Sequence, residues 1–197
     1  MHDGFYFGPG PTTLPDSVKK KISSSIHSSV SNGASILEVS HRSEFFLSFV
    51  NETEEKLRVL LDIPNDYTVL FMPSGARFQY NAICENIQHS MAVYAYGHWS
   101  TLLGTWAKRQ CNVYTCQSIL QKNMKNYAFV HTVSNETVDG VCLRHPCLLG
   151  DQKVIIDATS DLCLRPIPLS SYACVYAATQ KALGIAGTVS YTHLTLP

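Results

Sequence analysis

The 197-residue sequence has no excess of either charge. Fifteen Lys and Arg balance fifteen Asp and Glu, so bulk charge points to neither nucleic acid nor an anionic membrane as a partner. It has no apolar run approaching the roughly 18 residues needed to span a bilayer. Its first residues, Met1-His2-Asp3-Gly4-Phe5, lack the basic region and apolar stretch of a secretory leader. A cytoplasmic protein is the expectation. Metal-binding patterns are missing too. Seven cysteines, at 84, 111, 116, 142, 147, 163 and 174, are an odd number, and neither Cys111 with Cys116 nor Cys142 with Cys147 is accompanied by a paired His motif. The thiols therefore read as reduced, and no metal is expected. Asn51-Glu52-Thr53 and Asn135-Glu136-Thr137 match a glycosylation acceptor, which carries little without a leader. Ser74-Gly75-Ala76-Arg77 lacks the Gly-Lys-Ser/Thr ending of a nucleotide-hydrolysing loop. Repeats, low-complexity tracts and linkers are absent.

What is present is an alternation of helical and extended patterns, enough for one large domain or two small ones. Phe5-Tyr6-Phe7 reads as a short extended segment broken by Gly8-Pro9-Gly10-Pro11. Leu14-Pro15-Asp16 starts a helix with Val18, Ile22, Ile26 and Val30 as its apolar stripe. Ser40-His41-Arg42-Ser43 precedes a second helix, with Phe46, Phe49, Val50, Leu57, Leu60 and Leu61 on one face and Pro64 as its stop. Strands are expected at 68–72, 91–96, 112–114, 127–131, 154–156 and 172–178. Helices are expected around Ala82-Ile83-Ile87 and around Leu102-Leu103-Trp106, the latter with Lys108 and Arg109 in its last turn. Strands alternating with helices favour an α/β domain.

The chemistry concentrates near the end. Lys181 follows the apolar run 172–178 and precedes a glycine-rich turn. As the residue closing a buried run its ammonium would be partly desolvated, which frees the amine to form a Schiff base with an aldehyde cofactor; as a surface residue it would simply be solvated. Asp157 closes Val154-Ile155-Ile156, where it is either a cap or a carboxylate at a strand's carboxyl end, the ligand-binding edge of an open α/β sheet. A lysine and a carboxylate on that edge are the pair pyridoxal phosphate needs, one for its aldehyde and one to keep its ring nitrogen protonated. Ser74-Gly75-Ala76-Arg77, turning from a strand into a helix, could cup a phosphate. Trp99 could stack on a planar ring or be a core aromatic. His41 and Arg42 could bind an anion or be a solvated turn pair.

Six segments carry a resemblance: residues 5–11, 38–43, 69–71 with the following turn, 97–100, 134–140 and 178–181. In this order and spacing the sequence resembles the phosphoserine aminotransferases, pyridoxal-phosphate enzymes of the aspartate aminotransferase fold type grouped with the class-V aminotransferases. The resemblance implies an α/β large domain with a mostly parallel central sheet flanked by helices. It implies that Lys181 holds the cofactor aldehyde and moves the substrate proton, and that Asp157 pairs with the ring nitrogen. Trp99 would stack on the ring, Ala76 and Arg77 hold the phosphate, Thr137 offer its hydroxyl, and Gln180 line the pocket. His41 and Arg42 would bind the substrate anion, from the partner subunit of a homodimer. The implied reaction interconverts phosphoserine plus 2-oxoglutarate with 3-phosphohydroxypyruvate plus glutamate.

The sequence also departs from that family. Ala182 and Ile185 stand where Asn and Pro are common, and Asp157 is followed by Ala158-Thr159 rather than a bulkier residue and serine. Residues 1–187 read as the cofactor-binding large domain, in part. Residues 188–197 do not read as the family's continuation, and a truncated chain lacking the small C-terminal domain is expected. Two further readings stay open: a class-V enzyme acting on another amino acid, or a fragment that keeps the fold without catalysis.

Overall fold

The computed structural model describes residues 8–87, 90–118, 126–144 and 152–194; the expected extended segment Phe5-Tyr6-Phe7 lies outside them. The chain divides into two compact units, Thr12–Ile63 and Met1–Pro11 with Pro64–Pro197.

The unit Thr12–Ile63 carries two helices. α1, Asp16–His27, begins after Pro15 and has Asp16 in its first turn, where a negative charge suits the helix dipole. Val18, Ile22 and Ile26 lie on it as expected, but Val30 does not. Ser28 turns extended and ends the helix, and the Val30 N–H donates to Ala34 O at 2.8 Å across a tight turn. Asn32 and Gly33 occupy that turn with positive φ, 49° and 85°, the pairing that Asn-Gly sequences favour. α2, Glu44–Leu61, is capped by Ser43, whose Oγ accepts from Phe46 N at 3.2 Å. It ends at Asp62 in the left-handed conformation, φ 51°, before Pro64. Phe46, Val50, Leu57 and Leu61 are partly buried; Phe49 and Leu60, at the margin of that stripe, are exposed.

The larger unit is built on a sheet. Its strands are β1 Tyr67–Pro73, β2 Met91–Tyr94, β3 Val113–Cys116, β4 Phe129–Val133, β7 Lys153–Asp157, β8 Cys174–Ala178 and β9 Thr188–Leu194. Between β4 and β7 a small antiparallel ribbon joins β5, Asn135–Glu136, to β6, Val141–Cys142. Among the described residues the sheet order is β1-β9-β8-β7-β4-β2-β3. β3, β2, β4, β7 and β8 pair in parallel, and β9 runs antiparallel between β8 and β1. The mostly parallel α/β sheet expected from sequence is therefore present.

Strands with both faces covered read as unbroken apolar runs. All of Cys174–Ala178 and all of Val154–Asp157 are buried. α3, Ala76–Ile87, and α4, His98–Ala107, supply cover: Tyr80, Ile83, Cys84, Ile87, Leu103 and Ala107 share one core with Met91, Val93, Ile155 and Tyr176. Gly104 lets α4 approach the sheet, since a Cβ there would meet Thr115 Oγ1 at 3.3 Å and Val93 Cγ1 at 3.4 Å. α4 ends one residue before Lys108, which caps it, so Lys108 and Arg109 follow the helix rather than filling its last turn. The turns after β1, β2, β4, β7 and β8 all leave from carboxyl ends of parallel-running strands, the edge where open α/β sheets bind ligands.

Candidate functional site

Asp157 is the last residue of β7 and is 7% exposed. Its Oδ1 accepts from Thr159 N at 2.9 Å and its Oδ2 from the Tyr80 hydroxyl at 3.0 Å. Burial pushes the carboxyl above the ordinary range, while the Thr159 side chain and N–H and the Tyr80 hydroxyl pull against that rise. Among the described residues no cation forms an ion pair with it. A buried carboxylate held by neutral donors alone is costly to ionise, so this one is matched to a cationic group brought in from outside.

Lys181 approaches the same space from the turn after β8. The strand ends at Ala178, where the apolar run read from the sequence also ends, and Lys181 lies three residues further, half-buried. The turn is held by Thr179: its N–H donates to Thr188 O at 3.1 Å, and its carbonyl accepts from Gly184 N at 2.8 Å. The Lys181 Nζ donates to Pro9 O. Gly10, at φ 110°, makes room for it, because a Cβ there would lie 3.0 Å from Nζ.

Trp99 is fixed by the start of α4. Two carboxylates from the 134–140 segment close this helix N-terminus: Asp139 Oδ2 accepts from His98 N at 2.7 Å, and Glu136 accepts from Trp99 N at 2.6 Å and Ser100 N at 2.7 Å. Negative groups at first-turn N–H groups complement the helix dipole. Gly97 is required beside them, since a Cβ there would lie 2.5 Å from Glu136 Cγ. The Trp99 ring then donates from Nε1 to Thr137 Oγ1 at 2.8 Å, leaving the Thr137 hydroxyl proton for another acceptor.

The start of α3 differs. It has no acidic residue in its first turn, so its N-terminal partial positive charge is not met by a carboxylate of its own. Ser74, with φ 82°, turns the chain from β1 into this helix and donates its N–H to Gly187 O at 3.0 Å. The Arg77 guanidinium sits 3.5 Å from the Trp106 ring centroid, a cation–π contact that fixes its position.

These pieces line one cavity of about 340 Å³, at the small end of the roughly 300–1,000 Å³ typical of small-molecule sites. Ala76, Arg77, Trp99, Thr137, Asp157, Gln180 and Lys181 all line it, which brings together seven of the nine residues singled out from sequence. His41 and Arg42 belong to the other unit, in the turn before α2, where both are exposed and Ser40 Oγ accepts from Arg42 N at 3.2 Å. Five contributors were not anticipated: Tyr80, Thr159, Trp106, Glu136 and Asp139. Glu136 and Asp139 carried a signal, two acids in a segment otherwise poor in charge. Tyr80 carried only its place three residues before Ile83 on an apolar helix face.

Sheet, cavity and lysine–carboxylate pair define a class, and the chain belongs to the class-V aminotransferase family, whose model matches residues 4–192. That match runs five residues into the tail the sequence reading set apart. A phosphoserine aminotransferase from Blochmanniella floridana is 34% identical over 93% of this chain and 55% of that protein. The phosphoserine aminotransferase of Bacillus circulans subsp. alkalophilus superposes with a TM-score of 0.84 at 28% identity, over 95% of this chain and 56% of the other. A PLP-bound phosphoserine aminotransferase from Trichomonas vaginalis shares the fold, with a TM-score of 0.84 at 24% identity over 95% of this chain and 57% of that one. The chain thus spans a little over half the length of the proteins it matches.

Proposed function

We propose that this chain is the cofactor-binding part of a phosphoserine aminotransferase, a soluble cytoplasmic homodimer that exchanges an amino group between phosphoserine and 2-oxoglutarate. One observation carries the reading: an amine, Lys181, and a buried carboxylate without a cation, Asp157, line the same cavity. The residues fit pyridoxal phosphate, because that carboxylate lacks only the positive ring nitrogen the cofactor would present. When bound, the cofactor supplies the electron sink that makes a substrate Cα–H bond labile.

Each side chain then has a defined task. Lys181 would hold the cofactor through Nζ and carry the substrate Cα proton on that nitrogen. Asp157 keeps the ring nitrogen protonated. Trp99 would offer its ring face, oriented by Thr137, and the Thr137 hydroxyl would remain able to donate to the cofactor. Arg77 and the N–H groups at the start of α3 hold the phosphate, and Gln180 closes the wall. His41 and Arg42 bind the substrate's anion in the complete homodimer, and an adjacent His and Arg favour a phosphorylated substrate over an uncharged amino acid.

The test is intact mass and peptide mapping after incubating the chain with pyridoxal phosphate and reducing with borohydride. A single adduct on Lys181, missing in Lys181→Ala, is expected. Label scattered over surface lysines would overturn the reading.

A further inference from the structure

The ribbon of β5 and β6 reaches the cavity at Asn135 and Thr137, yet little within it holds its shape. It pairs over two residues on each side, Asn135 with Cys142 and Glu136 with Val141, and a short two-stranded ribbon is marginal by itself. Both residues of β6 are exposed, so packing does not fix the returning strand. The tip is tied to α4 through the Glu136 and Asp139 carboxylates. The base is tied by a second group, which comes from the turn after β7.

In that group Leu143 N donates to Ser134 O at 2.8 Å, and Ser134 N donates to Asp157 O at 2.9 Å. The Ser134 hydroxyl lies within hydrogen-bonding reach of both Asp157 O and Asp161 Oδ1. Asp161 is 4% exposed, and Arg165, one helical turn's length further along the chain, is its cation. Arg165 Nε and Nη2 stand 2.8 Å and 2.5 Å from Asp161 Oδ2, and Nη2 also donates to the Leu143 carbonyl at 3.1 Å. One side chain thus joins the turn after β7 to the returning strand of the ribbon. Arg165 itself is not among the residues that line the cavity.

We propose that Arg165 is a positioning residue for Trp99: by bridging Asp161 to the Leu143 carbonyl, it closes the base of the ribbon that sets Thr137 against the indole. Without that bridge the exposed strand has no hold at its base, and Thr137 moves with the ribbon. Thr137 Oγ1 is the acceptor for Trp99 Nε1 at 2.8 Å, so the indole loses its orientation. Arginine suits the task because its planar fork carries several N–H groups in fixed directions, whereas a lysine ammonium is a point charge on a flexible stem. The functional side rests on the proposed cofactor site. The turn that carries Arg165 begins at Asp157, so the element presenting the carboxylate to the ring nitrogen also fixes the indole that stacks on the ring.

The test compares Arg165→Lys with the double variant Asp161→Asn/Arg165→Leu. The first keeps a cation beside Asp161; the second removes both charges and leaves no lone buried carboxylate. Solvent exchange of the two indole N–H groups is followed by 15N–1H NMR in the cofactor-free chain. Exchange at Trp99 is expected to rise roughly 2- to 10-fold in both variants, as for the loss of one ordinary hydrogen bond, while Trp106 keeps its wild-type rate. No rise at Trp99 in Arg165→Lys would overturn the proposal, and so would an equal rise at both indoles, the mark of general destabilisation. Arg165→Lys decides the matter if the double variant fails to fold. Pyridoxal phosphate titration reads the functional side: with the Lys181 adduct verified in the wild-type chain, the dissociation constant should rise roughly 2- to 10-fold in Arg165→Lys. An unchanged constant would overturn the role of Arg165 at the site and leave the cofactor reading standing. Absence of the wild-type Lys181 adduct would refute the cofactor reading, and the indole exchange alone would then judge Arg165.

Discussion

Replacing Gly97 by alanine should be among the most damaging single-methyl changes in this chain, and the reason is local. The backbone there is extended, φ −163°, which any residue adopts, so no conformational strain enters. The cost is contact alone. The new Cβ would sit 2.5 Å from Glu136 Cγ, 2.6 Å from Cδ and 2.7 Å from Asp139 Oδ2, against roughly 3.5–4.0 Å for comfortable carbon contacts. Relief requires the two carboxylates to retreat by about 1 Å, which stretches bonds now at 2.6–2.7 Å past hydrogen-bonding range. Each bond to a charged acceptor is worth about 1.5–3 kcal/mol net, and because they share acceptors the combined loss is put at about 3–5 kcal/mol. Urea unfolding followed by the fluorescence of Trp99 and Trp106 measures it. Gly104→Ala is the internal comparison: its neighbours need give only a few tenths of an ångström, so about 1 kcal/mol is expected. The reasoning fails if Gly97→Ala costs no more than Gly104→Ala. Trp99 should also lose its fixed position, so pyridoxal phosphate binding should weaken together with stability.

Three further perturbations have defined signs. Asp157 has a folded-state pKa raised chiefly by burial, so the unfolded chain releases this proton first as pH rises and the folded state loses stability from the ordinary carboxylate pKa of about 3.9 upward. Asp157→Asn should therefore be more stable than the wild-type cofactor-free chain at neutral pH and not at about pH 3; with pyridoxal phosphate present the order should reverse. Thermal melts at the two pH values, with and without cofactor, decide it, and a neutral-pH loss without cofactor would contradict it. Trp106→Leu removes the ring under Arg77, a contact worth about 0.5–2 kcal/mol, and should raise the pyridoxal phosphate dissociation constant roughly 2- to 30-fold by titration. Ser43→Ala removes the α2 cap and should cost about 1 kcal/mol in chemical denaturation, without altering the Lys181 adduct.

The α/β sheet was legible because its buried strands advertise themselves: Val154-Ile155-Ile156 and the run to Ala178 have no solvent face, and a chain cannot leave such residues exposed. Of the seven cavity residues, Asp157, Lys181, Trp99 and the turn with Ala76 and Arg77 were legible because they fall in short segments near strand ends, whereas Thr137 and Gln180 were named only through the family resemblance. Two things resisted for a common reason. β9 places Val189 at 0% exposure between β1 and β8, yet nothing within Thr188–Leu194 names its partners, because strand pairing is a relation between distant segments. Tyr80 likewise drew no attention beside Ala82, Ile83 and Ile87, and its hydroxyl acquires meaning only against Asp157, seventy-seven residues away. A polar atom on a large ring is invisible to periodicity, which counts faces and not hydrogen bonds. In this chain those hidden polar atoms determine what the visible ones can do: Glu136 sets where Trp99 stands, and the Tyr80 hydroxyl holds one oxygen of Asp157.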